Sequence, residues 1–150
     1  MQKITPCLWF DQQAEEAVDF YVSVFRDARK GNSVAGPDGQ LMTLTFTLFG
    51  TEYLALNGGP RFKFNEAVSF IISCDTQEEI DYYWNTLTQN GGEESMCGWL
   101  KDRFGLWWQV VPVRFPQLMT GEPERVQRVM QAMMQMRKLD LDVLEKAYGG

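Results

Sequence analysis

The stretch GGEESMCGWLKDRFGLWWQVVP, residues 91–112, decides the fold of this chain. It predicts three short strands, near residues 94–96, near residues 98–101 and over residues 106–111, because short apolar runs alternate with turn residues. The segment Asp102 to Gly105 supplies the hairpin turn between the last two strands. Gln109 is the one amide on the last strand, so it either satisfies a hydrogen bond in the core or faces a cavity.

An amphipathic helix precedes these strands. Its apolar side chains recur every three or four residues, which predicts one buried face; they are Ile80, Tyr83, Trp84 and Leu87. Asp75 and Thr76 can cap its start, and Gly91-Gly92 ends it because glycine tolerates the left-handed cap. An apolar strand over residues 68–74 comes before the helix. The order is therefore β-α-β-β-β.

The same order occurs in the first half of the chain. Strands are predicted over residues 4–10, 29–34, 42–48 and 53–57, the third from its strict alternation of apolar side chains with threonines. A helix starts at Ala14, and Asp11 is expected to cap it. The chain thus reads as an α+β protein of two pseudo-symmetric βαβββ modules, at residues 1–60 and 66–113, within a single domain.

A helical tail is predicted at residues 117–150. Glu122-Pro123 starts one helix, since proline is tolerated at the first helical position, and Asp140 starts a second, shorter one. The first helix carries a cluster of adaptable methionines. Two interpretations stay open: the tail packs on its own sheet, or it forms a subunit contact.

The composition excludes several classes of function. The net charge is −6 and the pI about 4.7, so the cationic face that nucleic-acid binding requires is missing. Apolar runs are far shorter than the ~20 residues of a membrane span, and the N-terminus lacks the pattern of a signal peptide. The three cysteines, Cys7, Cys74 and Cys97, are far apart and odd in number, which indicates reduced thiols in the cytoplasm.

The chain contains no histidine. A Ser-His-Asp or Cys-His arrangement is therefore excluded, and so is any zinc site with a histidine ligand from this chain. A general base would have to be a carboxylate, Cys, Lys or Tyr.

Four stretches together carry a resemblance to a known family: LALNGGPRFKFNEAVSFIISC (residues 54–74), EEIDYYW (78–84), the stretch at 91–112, and VMQAMMQMRKLDLDVLEKAY (129–148). The chain resembles the PhnB-like branch of the glyoxalase/bleomycin-resistance (vicinal oxygen chelate) superfamily, many members of which carry the label 3-demethylubiquinone-9 3-methyltransferase. The resemblance implies paired βαβββ modules, a curved mixed eight-stranded sheet and a homodimer.

Metal-using relatives in the superfamily hold a divalent ion with His and Glu at four positions on the first and last strands of the modules. The positions that match here hold no hard charged ligand; they are Thr5 to Cys7, Ala55 or Asn57, Ser69, and Gln109. Neutral oxygens alone do not offset the dehydration of a divalent cation, so we expect no metal site and no cofactor. Gly58-Gly59-Pro60 precedes a loop and not a helix, so the methyltransferase label is expected to be only a family name.

The candidate ligand-binding residues are Asn57, Ser69, Cys97, Trp99, Trp107 and Gln109. Gln109 either orients a ligand or bonds to the backbone of a neighbouring strand, and Asn57 either faces the same cavity or fills a turn. Cys97 is either a reactive thiol or, more commonly, a buried inert one.

We expect a small-molecule pocket with aromatic walls, for an uncharged and partly aromatic or hydrophobic ligand whose identity stays open. Whether the protein catalyses a reaction also stays open. The alternatives are a metal-dependent lyase, isomerase or dioxygenase, a methyltransferase as the label states, and a dimeric sequestering or regulatory module.

Overall fold

The computed structural model describes all 150 residues, and they divide into two compact units, Met1–Phe64 and Asn65–Gly150. We call them unit 1 and unit 2. Each contains one four-stranded mixed sheet with one helix between its first two strands. The predicted α+β class and the repeated βαβββ order are confirmed.

Unit 1 consists of β1 (Cys7–Phe10), α1 (Ala14–Val24), β2 (Ala28–Ala35), β3 (Leu41–Leu48) and β4 (Thr51–Asn57). The strand order is β1-β4-β3-β2, in which β1 is parallel to β4 and the other neighbours are antiparallel. Alternate side chains of β3 are buried, as its period-2 pattern predicts. The helix α1 packs its apolar stripe on this sheet.

Unit 2 begins with the same arrangement and adds three helices. Its elements are β5 (Phe70–Cys74), α2 (Gln77–Leu87), β6 (Glu93–Glu94), β7 (Trp99–Lys101), β8 (Trp107–Pro112), α3 (Phe115–Leu118), α4 (Pro123–Met133) and α5 (Leu141–Gly149). The strand order is β5-β8-β7-β6, with β5 parallel to β8. The one-turn helix α3 carried no periodic signal and was not predicted.

The two equivalent helices are capped differently. The start of α2 is capped locally as predicted, because Thr76 Oγ1 accepts a hydrogen bond from the Glu79 amide at 3.2 Å. Residue 13 holds the N-cap position of α1 without a side-chain hydrogen bond, so the predicted cap by Asp11 is wrong. The first amide of α1, on Ala14, donates instead to Asn57 Oδ1 at 2.9 Å. The helix start is satisfied from another strand.

The tail packs within unit 2. Four fully buried leucine and valine side chains form its core; they are Leu118, Val129, Leu139 and Leu144. Val111 of β8 packs against them, together with Met133 and Met136. The first interpretation of the tail therefore holds for these methionines. Met130 and Met134 keep 42% and 59% of their surface exposed. No helix is long and apolar enough to cross a membrane.

Candidate functional site

The strand β8 separates its side chains between two environments. Trp108, Val110 and Pro112 are buried on the side that α2 covers. Trp107, Gln109 and Val111 are half-buried on the opposite side, which we call the open face of unit 2. Directly paired residues of neighbouring strands share a face. The register therefore brings Trp99 of β7 and Ile71 of β5 to the two sides of Gln109.

Gln109 is held by a side chain 40 positions earlier in the sequence. Its Nε2 donates a hydrogen bond to the Ser69 hydroxyl at 2.9 Å, and its Oε1 has no hydrogen-bond partner. The alternative in which Gln109 bonds to the backbone of a neighbouring strand is not observed. The contact joins two of the candidate residues and fixes one end of the amide, while its carbonyl oxygen stays available.

Two indole rings border Gln109 on the open face. Trp99 lies beside Gln109 across the strand pair, and Trp107 precedes it on the same face of β8. Their ring centroids are 6.5 Å apart with planes inclined by 60°, which is an edge-to-face arrangement. Lys101 Nζ lies 6.0 Å from the Trp107 ring centroid and 3.2 Å from a Glu93 carboxylate oxygen. The positive charge of Lys101 is therefore compensated by the Glu93 carboxylate.

Cys97 takes part through its backbone. Its φ angle is +58°, a left-handed value that non-glycine residues rarely adopt. In this conformation its N–H donates to the Met136 carbonyl oxygen at 2.8 Å. The thiol is half-buried. Cys97 thus anchors the tail beside the open face.

Asn57 lies on the helix-covered face of its own sheet. It pairs with buried Phe10, its Oδ1 caps α1, and its Nδ2 donates to the Leu41 carbonyl oxygen at 3.2 Å. The strand registers give Asn57 a different position in its module from that of Gln109. Asn57 matches Pro112, which ends β8, and the match to Gln109 is Leu54.

A cleft in unit 1 adjoins Asn57. Its volume is about 310 Å³, and Asp11, Glu15 and Asp38 make its lining acidic. Such a lining does not suit the uncharged ligand expected from the sequence. Of the six candidate residues, Ser69, Trp99, Trp107 and Gln109 come together in unit 2 and Cys97 lies at their margin. Asn57 is part of unit 1.

Asp102 is an important residue that the sequence analysis did not select. It is only 1% exposed, and its Oδ1 accepts hydrogen bonds from the amides of Phe104 (2.9 Å) and Leu106 (3.1 Å). Its Oδ2 accepts one from the Trp108 indole at 2.9 Å. Asp102 thereby fixes the β7–β8 hairpin that carries Trp99, Trp107 and Gln109. Its place at the first position of a turn before Gly105 was the available signal.

The residues of the site do not fit a divalent metal. Within neither unit is there a group of three His, Cys, Asp or Glu side chains that could hold one. Ser69 and Gln109, at two positions where the resemblance implies ligands, are neutral and bond to each other. A hydroxyl and an amide supply no charge to offset the dehydration of the cation.

The glycine pair after β4 does not fit a methyl-donor site either. A Cβ on Gly58 would lie 2.3 Å from the Trp9 ring, and the Gly59 carbonyl oxygen accepts the Trp9 indole N–H at 2.9 Å. The amides of Gly58 and Gly59 donate to Phe10 and Asp11. Because these amides already have partners, they are not available to a ligand. Both glycines instead serve the packing of Trp9.

Comparison with known proteins identifies the family of this chain. The family model described as 3-demethylubiquinone-9 3-methyltransferase matches residues 2–111. The chain belongs to this family. The family is the PhnB-like branch of the vicinal oxygen chelate superfamily, as the resemblance implied. No curated protein matches the chain.

Solved structures agree with the family. The Bacillus cereus PhnB protein, which carries the same methyltransferase label, is 32% identical, with a TM-score of 0.67 over 73% of this chain and 99% of its own. A Listeria monocytogenes FosX variant, a fosfomycin resistance protein complexed with Mn(II) and 1S,2S-dihydroxypropylphosphonic acid, is 14% identical, with a TM-score of 0.57 over 80% and 100%. A glyoxalase/bleomycin resistance protein from Albidiferax ferrireducens is 12% identical, with a TM-score of 0.50 over 73% and 97%. The last two show the fold alone.

Proposed function

We propose that the open face of unit 2 binds an uncharged, partly aromatic small molecule. The hydrogen bond between Gln109 and Ser69 carries this proposal, because it orients an amide between two tryptophans and leaves Oε1 unused. A half-buried acceptor that is oriented in advance loses little conformational entropy when a ligand binds. The ligand would donate an O–H or N–H to Oε1 and pack its ring against Trp99 and Trp107.

The chemistry of the face sets the ligand class. Apart from Lys101, which is paired with Glu93, the side chains beside Gln109 are neutral. An anion would find no unpaired cation there, and a cation would find no free carboxylate. Ring compounds with one hydroxyl or amide donor match the face best. Cys97 would border the ligand at the tail end.

The superfamily relatives support small-molecule binding but not one chemistry. The FosX variant was solved with Mn(II) and a small phosphonate. Its use of a metal does not transfer to this chain, whose equivalent positions are neutral. We also propose, on the family's behaviour, that the protein is a homodimer, and, on its three free thiols, that it is cytoplasmic. Light scattering on eluted protein gives the subunit number directly.

Titration with 4-methylphenol tests the proposal. Saturation-transfer NMR should detect contact between its ring and the wild-type protein. Gln109→Leu should weaken binding about fivefold, since it removes the acceptor of one hydrogen bond of about 1 kcal/mol to the ligand. Ser69→Ala keeps that acceptor but removes the bond that orients it, so it should weaken binding by less than Gln109→Leu does. The matched control is Gln89→Leu, which makes the same change at an exposed glutamine that lies after α2 and outside the strands of the site.

The proposal predicts a specific pattern among these variants. The Gln89→Leu variant should bind 4-methylphenol as the wild type does. Equal affinity of the wild type and Gln109→Leu, or no binding to the wild type, would contradict the proposed site.

A further inference from the structure

The Ser69 hydroxyl has a donor that the protein itself does not use. Its oxygen accepts the hydrogen bond from Gln109 Nε2 at 2.9 Å, and its own proton has no acceptor among the groups of the chain. A hydroxyl can accept and donate at the same time. Because Ser69 is only half-buried, its O–H can donate to a bound molecule.

The unused donor of Ser69 lies next to the unused acceptor of Gln109. Both belong to the same hydrogen-bonded pair, since Oε1 is part of the amide whose nitrogen bonds to Ser69. A half turn of this amide would let Ser69 donate to Oε1 and would leave Nε2 as the free donor. In either orientation the pair therefore offers one donor and one acceptor, side by side.

Packing on the side of the sheet that α2 covers holds this pair in place. Phe70, which follows Ser69, pairs with Trp108, and their ring centroids are 5.6 Å apart in an edge-to-face arrangement. The Trp108 indole donates in turn to the buried Asp102 carboxylate at 2.9 Å. Ser69 and Gln109 thus each adjoin an anchored aromatic residue, which reduces the entropy that binding would cost.

One donor beside one acceptor matches an amide whose N–H lies on the same side as its C=O, which we call a cis amide edge. Primary carboxamides and lactams have such an edge. An open-chain secondary amide lacks it, because the trans form, which predominates, directs the N–H away from the C=O side. A carboxylate has no donor, and the nearby cation, Lys101, is already paired with Glu93.

We propose that Gln109 and Ser69 together select ring compounds that carry a cis amide edge. This inference rests on the proposed function, and it names the ligand class for the same face. The ligand N–H donates to Gln109 Oε1, and the ligand carbonyl oxygen accepts the Ser69 O–H. Its ring packs against Trp99 and Trp107.

Two amides that differ in this edge test the proposal. 4-Methylbenzamide can form both hydrogen bonds at once, and N-methyl-4-methylbenzamide can form only one of them at a time. Titrations followed by saturation-transfer NMR give the ratio of their affinities, in which the effect of the extra methyl group is the same for every variant. In Ser69→Ala both compounds keep only the bond to Gln109, so the ratio should fall about fivefold from its wild-type value. Ser69→Thr keeps the hydroxyl and should keep the wild-type ratio.

A control variant and a third compound make the test specific. Ser73 lies on the same face of β5 as Ser69, is exposed, and pairs with Val111 and not with Gln109. Ser73→Ala is therefore the same substitution away from the pair, and it should leave the ratio unchanged. The lactam 2-quinolinone has a single N–H, as the secondary amide does, but on a cis amide edge. Its binding should weaken in Ser69→Ala as much as that of 4-methylbenzamide.

The outcomes separate the two proposals. If neither 4-methylphenol nor any of the amides binds the wild type, the proposed function is wrong and this inference with it. Equal ratios in the wild type and Ser69→Ala, with binding retained, would overturn the cis amide edge alone. An equal fall in Ser73→Ala, or binding of 2-quinolinone that does not depend on Ser69, would overturn it as well.

Discussion

The Asp102 carboxylate accepts the indole N–H of Trp108 at 2.9 Å in a site that is almost fully buried. The same carboxylate accepts two backbone amides of its own turn. One side chain therefore joins the turn to the side of β8 that α2 covers. On the other side of that strand are Trp107 and Gln109, so this buried contact also sets the geometry of the proposed site.

Replacing Asp102 by Asn should destabilise the protein by about 1–3 kcal/mol. The amide can keep one acceptor oxygen, but its Nδ2 would face a donor, either the Trp108 indole or a turn amide, and a buried donor would lose its partner. Urea denaturation followed by circular dichroism measures the change. The control is Asp38→Asn, because Asp38 is exposed and its one bonded oxygen, which accepts the Gln40 amide, is retained. A loss in the control as large as that in Asp102→Asn would contradict the explanation.

Asn57→Ala should lower the unfolding free energy by about 1–2 kcal/mol, because it removes the cap of α1 and the bond to Leu41. Asn57→Asp keeps the acceptor for Ala14, but it puts a carboxylate oxygen against the Leu41 carbonyl oxygen in a cleft that Asp11 and Glu15 already make acidic. It should therefore keep the cap without recovering the stability of the wild type. Hydrogen exchange at the Ala14 amide should accelerate in Asn57→Ala. Unchanged exchange at Ala14 in that variant would exclude Asn57 as the cap.

Mn(II) should leave the melting temperature within about 1 °C of that of chelator-treated protein. A site with a dissociation constant one hundredth of the added concentration would contribute about 2.7 kcal/mol, which is several degrees. Differential scanning fluorimetry with and without 1 mM MnCl₂ measures the difference. This concentration is about one hundred times the dissociation constant of a site with micromolar affinity. A rise of several degrees that EDTA reverses would mean that a metal site exists.

The Cys74 thiol should make stability fall at high pH. Burial, with smaller contributions from the charges of Glu79 and Asp75, raises the pKa of this thiol from 9.0 to about 12. The folded state therefore holds the proton more tightly than the unfolded chain. The stabilisation is complete below pH 9 and is lost as the pH rises from 9 to 12. The unfolding free energy of the wild type relative to Cys74→Ala should decrease over that window, and a constant difference would show that the thiol pKa is not raised.

Local sequence patterns predicted most of the fold. The alternation along β3 and the three-and-four spacing on α1 and α2 each follow from the geometry of one element, so a single chain segment contains the whole signal. Alternation along β8 likewise puts Trp107, Gln109 and Val111 on one face. The repeated βαβββ order then followed from the order of these predicted elements along the chain.

The partners of the site residues could not be predicted in this way. Ser69 is 40 positions from Gln109, and Asn57 is 43 from Ala14. Whether such residues meet depends on the register between strands, which a shift of one residue would reverse. Asn57 is an example. Its position at a strand end was predicted correctly, but the face of the sheet on which it lies depends on the pairing of β4 with β1.

By itself the sequence determined the two βαβββ modules, the family, the exclusion of histidine chemistry and the neutral character of the positions where relatives hold a metal. Composition and periodicity are properties of the chain, and they need no knowledge of what lies opposite. Only the tertiary structure decided that Gln109 bonds to Ser69, that Asp102 is buried under Trp108, and that the tail covers Val111. These are contacts between distant segments, and they exist only because packing brings specific faces together.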